Sequence, residues 1–200
     1  QYKSIMQSGF VDFIIDGPGD LAFPELLNAL ENKTDYSLIR NLIFVENGEI
    51  KRTVKNELLD QDSLPRLPYP KLFNTYHADG YLKKTFLGNR TAAYHSSFGC
   101  PFTCSFCAVV PIYNARWKGK SATAIYEDIS YLKEHHQIDA VEFHDNNFFV
   151  SQKRTVEFSK LVLDDNVQWW GEGRIDTINK YSDESLALMR EAGCRMIFLG

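Results

Sequence analysis

From residue 91 onward the chain repeats one unit, an apolar strand-like run followed by a polar loop and a stretch with helical spacing. The strand runs are "TAAYHSSFG", "AVEFHD", "VQWWGEG" and "RMIFLG". Ile125, Ile129 and Leu132 stripe the first helix, and a second covers Arg154 to Leu163. A third begins at Ser182, carries Asp183 and Glu184 in its first turn, and stops at Gly193. Strands joined through helices of this length run parallel, with the helices packed outside the sheet. Parallel sheets gather their chemistry at the carboxyl ends of the strands. The loop after the first strand, "HDNN" after the second and "GEGR" after the third therefore share one rim.

Upstream, Val11 to Ile15 has the pattern of a buried strand, Gly17-Pro18-Gly19 breaks it, and Phe23, Leu26, Leu27 and Leu30 recur at helical spacing. "NLIFVENGEIKRTV" predicts a hairpin turning at Asn47-Gly48. Pro65, Pro68 and Pro70 mark a linker, because proline interrupts regular pairing. The expected organisation is an α/β piece over residues 1 to 59, a proline-rich linker over 60 to 90 and a second domain over 91 to 200. The chain opens at Gln1 on half an α/β unit and closes in an apolar strand, so it reads as an internal segment of a longer protein.

Composition excludes several classes. An apolar content of 44% with 24% charged residues belongs to an ordinary globular protein. No apolar run approaches the roughly 20 residues that cross a bilayer, so a soluble, cytoplasmic protein is expected. A net charge of -4, from 22 basic and 26 acidic residues, does not favour nucleic acid as the main partner.

Three of the four cysteines fall within "SFGCPFTCSFCAVV". A disulfide suits neither a reducing compartment nor a cluster with an odd leftover, Cys194. A structural zinc site takes four ligands, commonly as two pairs, and here no second pair exists; His95 or Cys194 would have to complete it. Iron–sulfur clusters are usually held by four cysteines, so three leave one iron open to a small molecule.

"CPFTCSFC", residues 100 to 107, matches the pattern C-x-x-x-C-x-x-C with an aromatic residue, Phe106, before the last cysteine. It resembles the radical S-adenosylmethionine superfamily over residues 92 to 200. That resemblance implies a partial (β/α)6 TIM-like barrel of which this chain holds the first four strands. It implies that Cys100, Cys104 and Cys107 hold a [4Fe-4S] cluster whose open iron takes S-adenosylmethionine. One electron, from a donor such as flavodoxin or ferredoxin, then yields methionine and a 5'-deoxyadenosyl radical that abstracts hydrogen from a small-molecule substrate. Phe106 is carried over as a cofactor contact. Asp145 and Asn146 stand where the family has Gly-Gly-Glu and would accept from the methionine amine, Glu172 from hydroxyls, and Arg174 would grip a carboxylate. The alternative for "HDNN" is a turn capping the helix at Ser151. Arg116, Lys118 and Lys120 suggest a solvated face, and Tyr113 and His144 have a substrate-side position. No residue is assigned as catalytic.

The segment before the barrel resembles the last unit of the Rossmann-like cobalamin-binding domain found in some of these enzymes, with Gly17-Pro18-Gly19-Asp20 where Gly-Glu-Gly-Glu is common. The implied reactions are cobalamin-dependent methylation or a radical cyclisation or rearrangement. A tRNA methylthiotransferase is the competing enzyme; it would require extra N-terminal cluster cysteines, and none occurs between Gln1 and the barrel motif. The non-enzyme alternative is a structural metal-binding module.

Overall fold

The structure is a computed structural model describing residues 2–55 and 57–200; Gln1 and Asn56, both inside the expected first domain, lie outside the described residues. The chain divides into two units, Gln1–Leu58 and Leu59–Gly200.

In the first unit, α1 (Tyr2–Gln7) precedes β1 (Phe13–Ile15), α2 (Ala22–Asn32), β2 (Leu42–Glu46) and β3 (Glu49–Arg52). Asn47 and Gly48 turn the hairpin with φ of 50° and 79°, the left-handed pair that suits strand twist. Helix α2 buries Ala22, Leu26 and Ala29, where two small residues allow close approach to the sheet. Phe23, Leu27 and Leu30, which share the helical spacing of Leu26, are 54%, 50% and 44% exposed. The three strands lie in the order β1-β2-β3, and both pairs are antiparallel. A Rossmann-like unit pairs its strands in parallel, and no parallel pair occurs in this unit among the described residues. The Rossmann-like reading is corrected to that extent: after α2 the chain returns with β2 antiparallel to β1, and the hairpin adds β3 on the far edge of β2.

The second unit begins in the proline-rich stretch. Pro70 lies in the first turn of α3 (Tyr69–Tyr76), where a missing N–H costs no helical hydrogen bond. Tyr69 is buried and stacks 5.6 Å from Tyr131. Residues expected to form a linker thus pack with the unit that follows. Next come β4 (Thr91–Tyr94), β5 (Ser97–Gly99), α4 (Val109–Tyr113), β6 (Trp117–Gly119), α5 (Ala122–His136), β7 (Ala140–Phe143), α6 (Gln152–Leu161), β8 (Gln168–Gly173), α7 (Ile175–Ile178), α8 (Asp183–Glu191) and β9 (Cys194–Leu199).

Strands β4, β7, β8 and β9 are neighbours in that order and pair in parallel throughout. This is a mixed α/β fold with a parallel sheet. The expected single strand over residues 91 to 99 is two: β4 joins the sheet, while β5 turns away and pairs antiparallel with β6 as a separate ribbon. Ile125, Ile129 and Leu132 are buried on α5, and the core centres on Phe143, Phe148, Phe149, Phe158 and Trp169. Ser151 caps α6 with its Oγ accepting from the Arg154 N–H, and Ser182 caps α8 in the same way at Ser185. Among the described residues no helix is long and apolar enough to cross a membrane.

Candidate functional site

Parallel pairing sets the carboxyl ends of β4, β7 and β8 along one edge of the sheet. The chain leaves β4 through His95 and Ser96, enters the ribbon, and carries the cysteines between its two strands. Gly99 makes the turn into Cys100 with φ of 78°, and a Cβ there would stand 2.1 Å from the Arg116 carbonyl oxygen. Only glycine fits that approach. Cys100, Cys104 and Cys107 are partly exposed free thiols, and Phe106 beside them is 90% exposed. Among the described residues no three His, Cys, Asp or Glu side chains stand close enough to coordinate one metal ion. The loop presents the sulfurs without gathering them.

The third strand reaches this loop through Arg174. Its Nη1 donates to the Cys104 Sγ at 2.8 Å, while Nε and Nη2 both donate to Asp176 at 2.9 Å. Its guanidinium carbon lies 4.2 Å over the Phe102 ring. Hydrogen bonding to Asp176, joined by Cys104, holds the guanidinium charged, above its ordinary range. The donor set, three soft sulfurs with a cation on one of them, fits an iron–sulfur cluster in chemistry.

Asp145 departs from its expected role. It is wholly buried, and its carboxylate accepts from the Ser96 N–H at 2.6 Å, the Ser97 N–H at 3.3 Å, the Ser97 Oγ at 2.8 Å and the Ser96 Oγ. Its oxygens serve the protein's own chain, so it is withdrawn as an acceptor for a bound amine. Asn146 is exposed on the rim. Asn147 caps the short turn over Phe148–Val150, its Oδ1 accepting from the Phe149 N–H at 3.2 Å, while α6 is capped by Ser151.

Glu142, Trp170 and Glu172 share the sheet face opposite the buried Val141, Phe143 and Trp169. Glu172 is half-buried there. His144 stands 3.5 Å from Glu142 and 5.5 Å from the Trp170 ring centroid. A parallel sheet covered on both sides reads apolar on both, so this polar face is built to meet water or a ligand. Tyr113 is partly buried beside Gly99, and its carbonyl accepts from Arg116 Nε at 3.2 Å.

Lys118 is exposed, as a solvated face requires, but Lys120 is not part of one. Its Nζ donates to the Tyr94 hydroxyl at 2.9 Å and to Asp128 at 2.8 Å, and Tyr94 donates to Asp128 at 2.6 Å. Burial, then the Asp128 carboxylate, drives the Tyr94 hydroxyl far above its usual range. Sequence reading also passed over Arg154, which is 6% exposed. A signal was present: a cation in the first turn of a helix opposes the helix dipole and implies a specific partner.

No family model matches the chain. Curated relatives span almost all of it. An uncharacterised methyltransferase of Pyrococcus horikoshii is 28% identical over 194 residues, 95% of this chain and 40% of the relative. The hopanoid C-3 methylase of Methylococcus capsulatus is 25% identical over 196 residues, 96% of this chain and 35% of the relative. The anaerobic magnesium-protoporphyrin IX monomethyl ester cyclase of Cereibacter sphaeroides is 26% identical over 208 residues, 100% of this chain and 33% of the relative. Among solved structures, the cobalamin-dependent S-adenosylmethionine radical enzyme OxsB with aqua-cobalamin and S-adenosylmethionine matches with a TM-score of 0.77 at 17% identity, covering 100% of this chain and 29% of its own. The radical S-adenosylmethionine methyltransferase TsrM of Kitasatospora setae, with cobalamin and a [4Fe-4S] cluster bound, matches at 0.69 and 17% identity over 98% of this chain and 39% of its own.

The mixed α/β fold with its parallel sheet is similar to that of these S-adenosylmethionine radical enzymes. The curated relatives are named as methyltransferases, a methylase and a cyclase, and the solved structures it resembles are of S-adenosylmethionine radical enzymes with cobalamin bound. It spans between 33% and 40% of the length of these curated relatives.

Proposed function

We propose that this chain is part of a radical S-adenosylmethionine enzyme acting on a small molecule, by cobalamin-dependent methylation or by radical cyclisation or rearrangement. Residues 91 to 200 form the first four strands of its partial barrel, and residues 1 to 59 close its cobalamin-binding domain. The observation that carries this reading is the contact of Arg174 with the Cys104 sulfur, which joins the three-cysteine loop to the carboxyl rim of a parallel sheet.

Cys100, Cys104 and Cys107 would hold the [4Fe-4S] cluster, which when bound supplies the single electron that cleaves S-adenosylmethionine to methionine and a 5'-deoxyadenosyl radical. Arg174 holds the Cys104 sulfur against the sheet's carboxyl rim through its Nη1. Phe106, 90% exposed in the cysteine loop, would be covered by a bound molecule or by the flavodoxin- or ferredoxin-like donor. Asn146 and Glu172 offer acceptor oxygens on the rim and on the polar sheet face. Such oxygen-sensitive chemistry and free thiols suit the reducing cytoplasm.

In the anaerobically reconstituted, reduced full-length protein, S-adenosylmethionine is expected to give 5'-deoxyadenosine and methionine in equal amounts, and a variant with all three cysteines changed to alanine none. A wild-type protein that takes up zinc instead of iron, or forms neither product, would sink the reading. Full activity in preparations free of cobalt would remove cobalamin from it.

A further inference from the structure

A two-stranded ribbon on its own is marginally stable in water. The β5–β6 ribbon nevertheless carries all three cysteines of the loop, so something must fix it to the sheet. Two buried charges do so from different elements. Asp145, just beyond β7, takes the N–H and hydroxyl of both Ser96 and Ser97 at the ribbon's entry. Arg154, on α6, spans entry and exit together. Its Nη1 donates to Ser96 Oγ at 2.9 Å, to the Ser96 carbonyl at 3.4 Å and to the Lys120 carbonyl at 3.5 Å, while Nη2 donates to the Phe148 carbonyl at 2.8 Å. The guanidinium lies 5.1 Å over the Trp117 ring, in the ribbon's second strand. Gly119 permits this, since a Cβ there would come within 3.0 Å of Arg154 Nη1. Arg154 and Asp145 are themselves 3.6 Å apart.

A buried ion pair is weak evidence for stability, because desolvation offsets the attraction; its better-attested use is to specify one arrangement over others. Apolar packing would hold this ribbon about as firmly and would leave its register free to slide. We propose that Arg154 and Asp145 are positioning residues for the cysteine loop, gripping both ends of the β5–β6 ribbon and so setting where its three thiols stand at the sheet's carboxyl rim. The placement of the ribbon is read directly from the structure; its consequence for cofactor binding rests on the function proposed above.

The test uses the full-length protein, wild type, Arg154→Lys and Ser96→Ala. Lysine keeps the charge opposite Asp145 but lacks the planar fork that reaches Ser96, Lys120 and Phe148 at once. In iron-free protein, amide exchange over residues 97 to 119 is expected to quicken about tenfold in both variants, the scale of one charge-assisted hydrogen bond. Protection in β7 and β8 should stay at the wild-type level. Alkylation of Cys100, Cys104 and Cys107 should quicken with it, and that of Cys194 should not. In reconstituted protein, the response of the cluster's paramagnetic resonance signal to S-adenosylmethionine should weaken in Arg154→Lys. Loss of protection spread evenly over the sheet, or no change in the ribbon, would overturn the proposal and leave Arg154 an ordinary buried residue. A wild-type protein whose signal ignores S-adenosylmethionine would count against the proposed function, while the exchange pattern would still decide the positioning role.

Discussion

The parallel sheet and the cysteine-bearing ribbon meet at one rim and are held by different forces. The sheet rests on packing: Phe143, Phe148, Phe149, Phe158 and Trp169 are 0% or 1% exposed and pack around one another, with Phe143, Phe158 and Trp169 meeting edge to face and Phe149 stacked on Trp169. The ribbon buries few large side chains and hangs on hydrogen bonds to Asp145 and Arg154. Packing is spread over many weak contacts and tolerates small shifts. Charge-assisted hydrogen bonds are few and directional, so a loop held by them has one position or none. A scaffold made the first way and a site made the second is what chemistry at a fixed place requires.

The largest effect is expected from breaking the packed side. Trp169→Ala removes the residue around which the aromatic cluster closes and should lower unfolding free energy by about 3–5 kcal/mol, measured in urea. On the polar side, Asp145→Ala leaves the Arg154 charge and two backbone donors buried without their acceptor, and should cost about 3 kcal/mol by the same measurement. Its effect should concentrate on protection of the ribbon, whereas Trp169→Ala should loosen the sheet. Lys120→Met spares the bond from Tyr94 to Asp128 and should cost about 1–2 kcal/mol.

The smallest effect separates the cysteines by pH. Burial pushes the Cys194 thiol up from 9.0 to about 12, with the Met196 hydrogen bond and nearby arginines opposing. A group whose folded pKa is raised contributes its stability in full below the unfolded value and loses it as pH climbs through the folded one. The contribution of Cys194 should therefore be intact below pH 9.0 and fade toward about 12. In iron-free protein at neutral pH, alkylation should modify Cys100, Cys104 and Cys107 in the native state and Cys194 only on unfolding. A native Cys194 that reacts as fast as the other three would erase the distinction between buried scaffold and presented site.

The same contrast explains what could be read from sequence. Strands and helices around the core were legible because burial repeats at a local period: Ile125, Ile129 and Leu132 mark α5 without reference to anything distant. The turn at Asn47-Gly48 and the caps at Ser151 and Ser182 are likewise local chemistry. The split of residues 91 to 99 into two strands was not legible. It depends on Asp145, which lies far along the chain and draws Ser96 and Ser97 out of line. For the same reason Asp145 looked like a ligand group: a carboxylate at a strand end has one appearance in sequence whether it faces a cofactor or a backbone amide. The expected partner of Arg174 is the carboxylate of a bound molecule; in the structure its donors go to Asp176 and to Cys104, the latter a contact no spacing rule anticipates.

The central claim is that the three-cysteine loop leaves one iron of a cluster open to S-adenosylmethionine, and electron paramagnetic resonance of the reduced, reconstituted full-length protein tests it most directly. A [4Fe-4S] signal that shifts when S-adenosylmethionine is added is the expected result. A cluster signal that S-adenosylmethionine leaves unchanged, or a protein that holds zinc and gives no signal, would contradict it and make the loop a structural metal site.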